Sequence, residues 1–324
     1  MKALEKEISL IQENSRILVT GGAGFIGNHT VNKLLAANTE VTVLDNLHTG
    51  LIENIDQHKQ NRNFHFVKGD IRDFSLVKKT VEDIDAVLNL AAIASVQLSV
   101  ENPLVVNDVN VKGTLNLLKA SSNSDVERFI QSSSAAVYGN PHTLPISEDF
   151  CPKPISPYAV SKLAAEEYTN VFNLVNGLET VCLRFFNVYG PGQAISPYSG
   201  VITVVANDLL ADRSPKIFGD GNQTRDFVFV EDVVSAIMLA LSMKSAIGET
   251  FNIASGKAAT ISETVQILQK LMKKTNLKPV YEAPREGDIR QSYASIKKSK
   301  TLLGYTPMFS LENGLKEFVR RLVS

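Results

Sequence analysis

Apolar residues in the first half of the chain come in short runs, each closed by a polar residue or a glycine. The runs have the length of buried strands and lie at residues 16–20, 41–44, 64–67, 86–90 and 128–132. Stretches with a helical spacing of apolar residues separate them, at residues 25–37, 76–81 and 106–120. Strands that alternate with helices are joined by right-handed crossovers. The pattern therefore predicts an α/β fold with a doubly wound parallel sheet of the Rossmann type.

The alternation weakens after about residue 184, where prolines and glycines interrupt it. This change predicts a Rossmann domain over residues 1–184 and a smaller C-terminal α/β substrate lobe over residues 185–324. A helical pattern at about 228–243 is apolar enough to return to the first domain.

A glycine-rich turn follows the first predicted strand, with Gly21, Gly24 and Gly27 at intervals of three residues. The helix after it begins with Phe25 and Ile26, and the N-terminus of a helix offers unpaired N–H groups to phosphate. Asp45 ends the second strand, where an acidic side chain binds a ribose 2′-OH and repels a 2′-phosphate. These features predict a dinucleotide site that takes NAD.

Tyr158 and Lys162 are four residues apart, so on a helix they lie on the same side. A lysine ammonium beside a phenol favours the phenolate, which makes the tyrosine a usable base near neutral pH. Together with the nucleotide turn, this pair predicts nicotinamide redox chemistry on a hydroxyl group.

Composition narrows the class of protein. The chain has 324 residues, a net charge of −1 and 44% hydrophobic residues, so no basic excess points to nucleic acid. Its two cysteines, Cys151 and Cys182, match no metal-site spacing and fit a reducing cytoplasm. No apolar run approaches the roughly 20 residues of a membrane span. We expect a cytoplasmic protein that uses no metal, nucleic acid or membrane.

Several further motifs occur in a fixed order. They are Asp45-Asn46-Leu47, Gly69-Asp70-Ile71-Arg72-Asp73, Asn89-Leu90-Ala91-Ala92, Ser132-Ser133-Ser134-Ala135-Ala136-Val137-Tyr138-Gly139 and Arg184-Phe185-Phe186-Asn187-Val188-Tyr189-Gly190-Pro191. With the glycine turn and the Tyr158–Lys162 pair, the chain resembles the extended short-chain dehydrogenase/reductases. Within them it is most similar to the UDP-glucose 4-epimerase group of NAD-dependent epimerases and dehydratases. It departs from them at Asn89, where relatives usually carry histidine.

The resemblance implies an NAD-dependent enzyme in which Tyr158 takes the proton from the sugar 4-OH. Lys162 would hold the ribose of NAD and lower the pKa of the tyrosine, and Ser134 would hydrogen-bond the reacting oxygen. The resemblance places further cofactor contacts at Asn46, Asp70, Ile71, Ala91, Asn110 and Ser132. It also implies a homodimer formed by the helix ending near Ala120 and the helix at 158–172.

The residues after Ser134 separate the reactions of the group. Dehydratases that resemble this chain carry Asp-Glu there, and decarboxylases keep the glutamate. Here Ala135 and Ala136 carry methyl groups, which cannot perform acid–base chemistry. The resemblance therefore favours epimerisation at one carbon.

The resemblance assigns the UDP-sugar to the second lobe, with contacts at Ser95, Asn187, Phe218, Arg225, Arg285, Asp288 and Ser292. The two arginines suit a diphosphate. A small residue at Ser292 accompanies acceptance of N-acetylated sugars, although Tyr293 is adjacent and an alignment slip would reverse this. UDP-glucuronate, a nucleotide-sugar dehydrogenase and a non-catalytic NAD-binding regulator stay open as alternatives.

Overall fold

The computed structural model describes residues 15–193, 200–284 and 289–323. Within these residues the strands are β1 (Arg16–Thr20), β2 (Glu40–Asp45), β3 (Phe64–Lys68), β4 (Ala86–Asn89), β5 (Arg128–Ser134), β6 (Glu179–Phe185), β7 (Asn187–Tyr189), β8 (Lys216–Phe218), β9 (Thr224–Arg225), β10 (Phe227–Phe229), β11 (Thr250–Ile253), β12 (Ala259–Thr260) and β13 (Val280–Glu282).

The α-helices are α1 (Phe25–Ala36), α2 (Glu53–Asp56), α3 (Phe74–Thr80), α4 (Val96–Glu101), α5 (Pro103–Asn107), α6 (Gly113–Ser121), α7 (Pro157–Asn176), α8 (Val201–Leu210), α9 (Val230–Ser242), α10 (Ile261–Leu271) and α11 (Leu311–Leu322). Short 3₁₀ or π turns lie at Asp108–Lys112, Ala135–Tyr138, Lys244–Ala246 and Ser299–Leu303.

Seven strands form one parallel sheet in the order β11-β6-β5-β4-β1-β2-β3. From β1 the chain first adds β2 and β3 on one side of the sheet, and then adds β4, β5 and β6 on the other side. The crevice between β1 and β4, where this change of side occurs, is where doubly wound sheets bind their ligands. The prediction of a Rossmann-type α/β fold is confirmed.

Apolar side chains cover both faces of this sheet. On one face, Val19, Leu183 and their neighbours pack with buried residues of α1 and α9. On the other, Leu18, Val87 and Phe129 pack with α3 and α6. A parallel sheet covered on both faces favours apolar strands. Strands β1 and β4 are apolar except at their ends, whereas β5 also carries Gln131 and three serines.

The second lobe has its own apolar core, built from α8, α10 and α11 around Phe229. Its strands form only two-stranded pairs, β10 with β7, β12 with β9 and β13 with β8. One segment predicted for this lobe belongs elsewhere, because β11 is an edge strand of the main sheet beside β6.

The helix predicted at 106–120 is interrupted. A π turn at Asp108–Lys112 separates α5 from α6, and Thr114 Oγ1 donates to the carbonyl of Asn110 at 2.7 Å. π turns insert one extra residue into a helix and often occur at functional sites. Here the turn carries Asn110.

Candidate active site

The glycine turn between β1 and α1 leaves no room for side chains. Gly21 has a φ of +70°, and a Cβ on it would lie 2.8 Å from the backbone nitrogen of Ala91. A Cβ on Gly27 would lie 2.7 Å from the Cα of Gly22. The chain can therefore follow this tight path only with glycine at both positions.

Helix α1 begins at Phe25, and its N-cap is Gly24, which has no side chain to cap the first turn. The backbone N–H groups of Phe25, Ile26 and Gly27 thus have no side-chain acceptor from the N-cap residue. Free N–H groups and a partial positive charge at this point fit the pyrophosphate of a dinucleotide.

Asp45 lies at the end of β2 and closes the same turn. Its carboxylate accepts from the N–H of Ala23 at 3.0 Å and of Leu47 at 2.8 Å. Burial raises the pKa of this carboxyl, and the two hydrogen bonds oppose that rise. A carboxylate offers about four lone-pair sites, so it can also accept from a ribose hydroxyl.

Asn46 and Asp70 lie at the ends of neighbouring strands and contact each other, with Asn46 Nδ2 donating to Asp70 at 2.9 Å. Arg72 also pairs with Asp70 at 2.8 Å, which holds the pKa of that carboxyl well below its usual range. Ile71 is buried against Gly113, so its backbone rather than its side chain is left to line an adenine site.

Asn110 holds the active-site loop after β4. Its amide accepts from the N–H of Ile93 at 2.8 Å and donates to Ser161 Oγ at 2.9 Å and to the carbonyl of Ile93 at 3.2 Å. Since these contacts occupy the side chain, Asn110 braces the loop that carries Ala91 against helix α7. Its predicted contact with the cofactor pocket is therefore indirect in this geometry.

Tyr158 and Ser134 meet at the carboxyl edge of the sheet. Burial raises the pKa of the Tyr158 phenol, and a hydrogen bond with Ser134 lowers it. Ser134 Oγ also accepts from the N–H of Ala136 at 3.2 Å, which fixes the hydroxyl beside the phenol. A phenol and a hydroxyl held together in this way can share a proton with a third oxygen.

Lys162 lies on helix α7, one turn after Tyr158. Its ammonium donates to the carbonyl of Ser132 at 2.6 Å and to Ser132 Oγ at 3.3 Å. Burial lowers the pKa of Lys162 to about 8. Its contacts with the ribose of NAD and its effect on the pKa of Tyr158 stay predictions.

A buried ion pair connects helix α7 to strand β6. Arg184 on β6 pairs with both carboxylate oxygens of Glu166, one turn after Lys162, and both side chains are buried. The same guanidinium donates to Tyr138 Oη at 2.7 Å, and that hydroxyl donates to Asn252 Oδ1 at 2.7 Å. This network joins α7 to β6 and β11.

In the second lobe, Arg225 and Ser292 lie close together. The guanidinium of Arg225 donates to the carbonyls of Ile289 at 2.6 Å and Thr224 at 2.8 Å. Ser292 is buried and its N–H donates to the carbonyl of Thr224 at 3.2 Å. Arg225 therefore anchors the segment that carries Ser292.

The remaining predicted substrate residues are spread over several elements. Asn187 begins β7, Phe218 ends β8, and both are half-buried. Ser95 caps α4, because its hydroxyl accepts from the N–H of Leu98 at 3.1 Å. Arg285 and Asp288 lie outside the described residues.

Within residues 15–193, 200–284 and 289–323, none of the helices has both the length and the apolar character needed to cross a membrane. The same residues contain no cluster of His, Cys, Asp and Glu suited to a metal ion.

Sequence reasoning missed several polar residues of this region. Gln131, Glu166, Arg184 and Asp226 are almost completely buried and fully engaged in hydrogen bonds. Their signal in the sequence was a polar or charged residue inside an otherwise apolar strand or helix face. Such residues are rarely buried unless a partner meets them.

Comparisons with known proteins agree with this geometry. A sequence profile of the NAD dependent epimerase/dehydratase family matches residues 17–254. A putative UDP-glucose 4-epimerase from Methanocaldococcus jannaschii is 42% identical over 305 residues, which cover 94% of this chain and 97% of the relative. A UDP-glucuronate 4-epimerase from Thermodesulfobacterium geofontis is 35% identical and covers 93% of this chain and 94% of its own.

Solved structures match closely as well. UDP-glucose 4-epimerase from Thermotoga maritima, with UDP-glucose, has a TM-score of 0.90 at 38% identity, covering 95% of this chain and 98% of its own. UDP-N-acetylglucosamine 4-epimerase from Methanobrevibacter ruminantium, with UDP-N-acetylmuramic acid, has a TM-score of 0.92 at 36% identity, covering 96% and 99%. The dTDP-glucose 4,6-dehydratase of Streptomyces venezuelae, with NAD bound, reaches 0.89 at 32% identity, covering 95% and 97%.

The profile match covers most of the chain, and the relatives are well above 30% identity over nearly their whole length. The predicted family, the NAD cofactor and the epimerase type of enzyme are confirmed. The chain therefore belongs to the NAD-dependent epimerase/dehydratase family.

Proposed function

We propose that this protein interconverts UDP-glucose and UDP-galactose by epimerisation at C4, and that it also accepts the N-acetylated pair. The family contains epimerases and dehydratases of nearly equal structural similarity to this chain, so the fold does not choose between them. The choice must come from the groups beside the sugar.

The observation that carries the proposal is the turn after Ser134. Ala135 and Ala136 occupy the partly exposed 3₁₀ turn that begins directly beside the Ser134–Tyr158 pair. A dehydratase needs an acid and a base there to act on the neighbouring carbons. Two methyl groups leave only the hydroxyl chemistry of Ser134 and Tyr158, which suffices for oxidation and return at one carbon.

In this mechanism Tyr158 removes the proton from the sugar 4-OH and later returns it. Ser134 lowers the pKa of the phenol and hydrogen-bonds the reacting oxygen, which supports a 4-keto sugar between the two steps. Bound NAD supplies the acceptor and donor of hydride. The chain itself must hold the sugar nucleotide so that either face of the keto sugar can be presented.

The second lobe supplies the binding energy for the nucleotide. We assign Asn187, Phe218, Arg225, Arg285 and Asp288 to the UDP moiety, with the arginines on the diphosphate. In the present structure the Arg225 guanidinium contacts two backbone carbonyls, which hold it in the lobe that would receive the diphosphate.

The choice of sugar depends on Ser292 and Tyr293. They are consecutive residues of an extended segment, so their side chains leave it on opposite sides. Ser292 is buried and Tyr293 half-buried. With serine toward the sugar, the space beside C2 admits an acetamido group. Ser292→Tyr should then abolish turnover of UDP-N-acetylglucosamine and spare UDP-glucose, whereas Tyr293→Ser should leave the ratio unchanged.

The decisive experiment uses purified protein without added NAD. Incubation with UDP-galactose should yield UDP-glucose and no net NADH, and Tyr158→Phe should remove about 10²–10⁴-fold of the rate. Accumulation of NADH would instead indicate a dehydrogenase. If UDP-glucuronate alone is converted, the proposed substrate is wrong.

We also propose that the protein is a cytoplasmic homodimer. Large apolar side chains are exposed on α4, α5 and α7, including Val100, Leu104 and Leu174, and α4 and α5 pack against α7. Ala165 on α7 is buried within the chain, so it is not part of this exposed surface. Leu174→Glu should yield a monomer in light scattering, whereas Leu51→Glu, at an exposed apolar residue elsewhere, should not.

A further inference from the structure

A row of polar residues crosses the main sheet directly below the active site. Thr20, Asn89, Gln131, Cys182 and Thr250 are aligned neighbours on β1, β4, β5, β6 and β11. Aligned residues of parallel strands place their side chains on the same face. The side chains of the first three are almost completely buried, so each needs a defined partner.

Hydrogen bonds connect this row so that each residue donates to the next one, from Thr20 toward Ser132. Thr20 Oγ1 donates to Asn89 Oδ1 at 2.7 Å, and Asn89 Nδ2 donates to Thr114 Oγ1 at 3.0 Å and to Gln131 Oε1 at 2.9 Å. Gln131 Nε2 then donates to the carbonyl of Ser132 at 3.0 Å.

The orientation of both amides is fixed by Thr114. Its hydroxyl proton is used on the carbonyl of Asn110, so Thr114 Oγ1 can only accept from Asn89. The Asn89 amide must therefore turn its NH₂ group toward Thr114 and Gln131. Gln131 in turn must present its oxygen to Asn89 and its NH₂ group to Ser132.

Pairing of β5 with β4 ends just before Ser132, whereas pairing of β5 with β6 continues to Ser134. The register of β4 with β5 stops at Asn89 and Gln131. One residue farther along β5, the carbonyl of Ser132 accepts from two side chains, Gln131 and the ammonium of Lys162.

We propose that Asn89 and Gln131 are positioning residues, which hold the Ser132 carbonyl in place as the acceptor of the Lys162 ammonium. The ammonium has three donors, and both the carbonyl and the hydroxyl of Ser132 accept from it. Asn89 thus links the glycine turn, through Thr20, to the lysine of the catalytic pair.

The surroundings of Lys162 allow a clean test. The charged or titratable groups that act on it are Glu166, on its own helix, and Cys182, on β6; both favour the ammonium. Tyr158 lies one turn earlier on the helix, and Arg184 pairs with Glu166. None of these groups changes in the variants below.

The first measurement needs no substrate. Trace modification of Lys162 by an amine-reactive reagent is followed against pH by peptide mass spectrometry. Gln131→Met keeps the size of the side chain and removes its donor. The freed carbonyl no longer holds the ammonium, so the midpoint should fall by roughly 0.5–1 pH unit. Thr180→Val is the matched control. It removes the buried hydrogen bond from Thr180, on β6 of the same sheet, to the carbonyl of Thr169 on α7, and should leave the midpoint unchanged.

Asn89 provides the rescue test. Asn89→Leu should lower the midpoint as Gln131→Met does. Asn89→His should restore it, because imidazole can accept from Thr20 with one nitrogen and donate to Gln131 with the other. If Gln131→Met and Asn89→Leu both give the midpoint of Thr180→Val, the proposal is overturned.

The kinetic readout rests on the proposed function. Gln131→Met should lower kcat about tenfold and leave KM for the UDP-hexose nearly unchanged, because the nucleotide binds to the other lobe. A rise in KM alone would contradict a positioning role. If the parent protein converts no UDP-hexose, the proposed function fails, while the labelling midpoints still decide the role of Asn89 and Gln131.

Discussion

The two halves of the active site are built in different ways. The cofactor half lies on the edge of a seven-stranded sheet, and its polar groups are buried and connected, as in the chain from Thr20 to Ser132. The substrate half is built on two-stranded pairs of strands, and side-chain hydrogen bonds connect the segments around them. Asp226 is the clearest example, since it accepts from the backbone N–H groups of Ser255, Gly256 and Ala294.

This difference indicates which half of the active site fixes its atoms more rigidly. The hydride and proton transfers need atoms fixed within a fraction of an ångström, and a large sheet with satisfied hydrogen bonds provides that. Separate small pairs of strands leave the second lobe more freedom to adjust than one large sheet would. The following four experiments test this contrast, from the largest expected effect to the smallest.

Gly27→Ala should abolish retention of NAD. Its Cβ would overlap Gly21 and Gly22, so the turn that receives the pyrophosphate cannot keep its shape. The NAD content of the purified protein is the measurement. Gly177→Ala is the control, since it introduces strain at a φ of +72° with nothing within 4 Å, at a point far from the site. Equal NAD content in both variants would show that the turn tolerates a side chain.

Arg184→Met should destabilise the protein by about 3–5 kcal/mol, because it leaves the buried carboxylate of Glu166 without its partner. Arg213→Met removes an arginine whose side chain is 58% exposed and paired with Asp208 in the second lobe, and should cost about 0–1 kcal/mol. Urea unfolding of both variants measures the contrast. Similar losses of unfolding free energy would mean that the buried network of the cofactor half stabilises the protein no more than an exposed ion pair does.

Lys162 should make stability depend on pH. Its pKa falls from 10.5 to about 8 on folding, so between these values the unfolded chain holds more protons. The free energy of unfolding should therefore rise with pH across this window, by about 3 kcal/mol in total, relative to Lys162→Met. A constant difference between parent and variant from pH 8 upward would refute the buried, anchored position of the ammonium.

Asp226→Asn should cost about 2 kcal/mol, since an amide NH₂ would face the N–H groups that now donate to the carboxylate. Asp220→Asn changes an exposed carboxylate paired with Arg290 in the same lobe and should cost less. Thermal unfolding compares them. Equal shifts would mean that the 255–256 and 294 segments are held by other contacts.

Much of the cofactor half could be predicted because its signals are local. Apolar runs gave β1 to β5 nearly to their ends, and the spacing of Gly21, Gly24 and Gly27 gave the turn. Strand β6 was not predicted. It contains Arg184, and a charged residue weakens the apolar pattern by which a buried strand is recognised. Strand β11 was assigned to the wrong region, because four residues show no periodicity that distinguishes a main-sheet strand from a lobe strand.

By itself the sequence determined the order of β1 to β5 and of the helices between them, the glycine turn and the position of Asp45. Each follows from short-range rules of packing and backbone geometry. Only the tertiary structure decided that Lys162 lies on the Ser132 carbonyl and that Asn89 contacts Gln131. Those two contacts join residues many positions apart, so they depend on strand register and on which face of the sheet each side chain occupies.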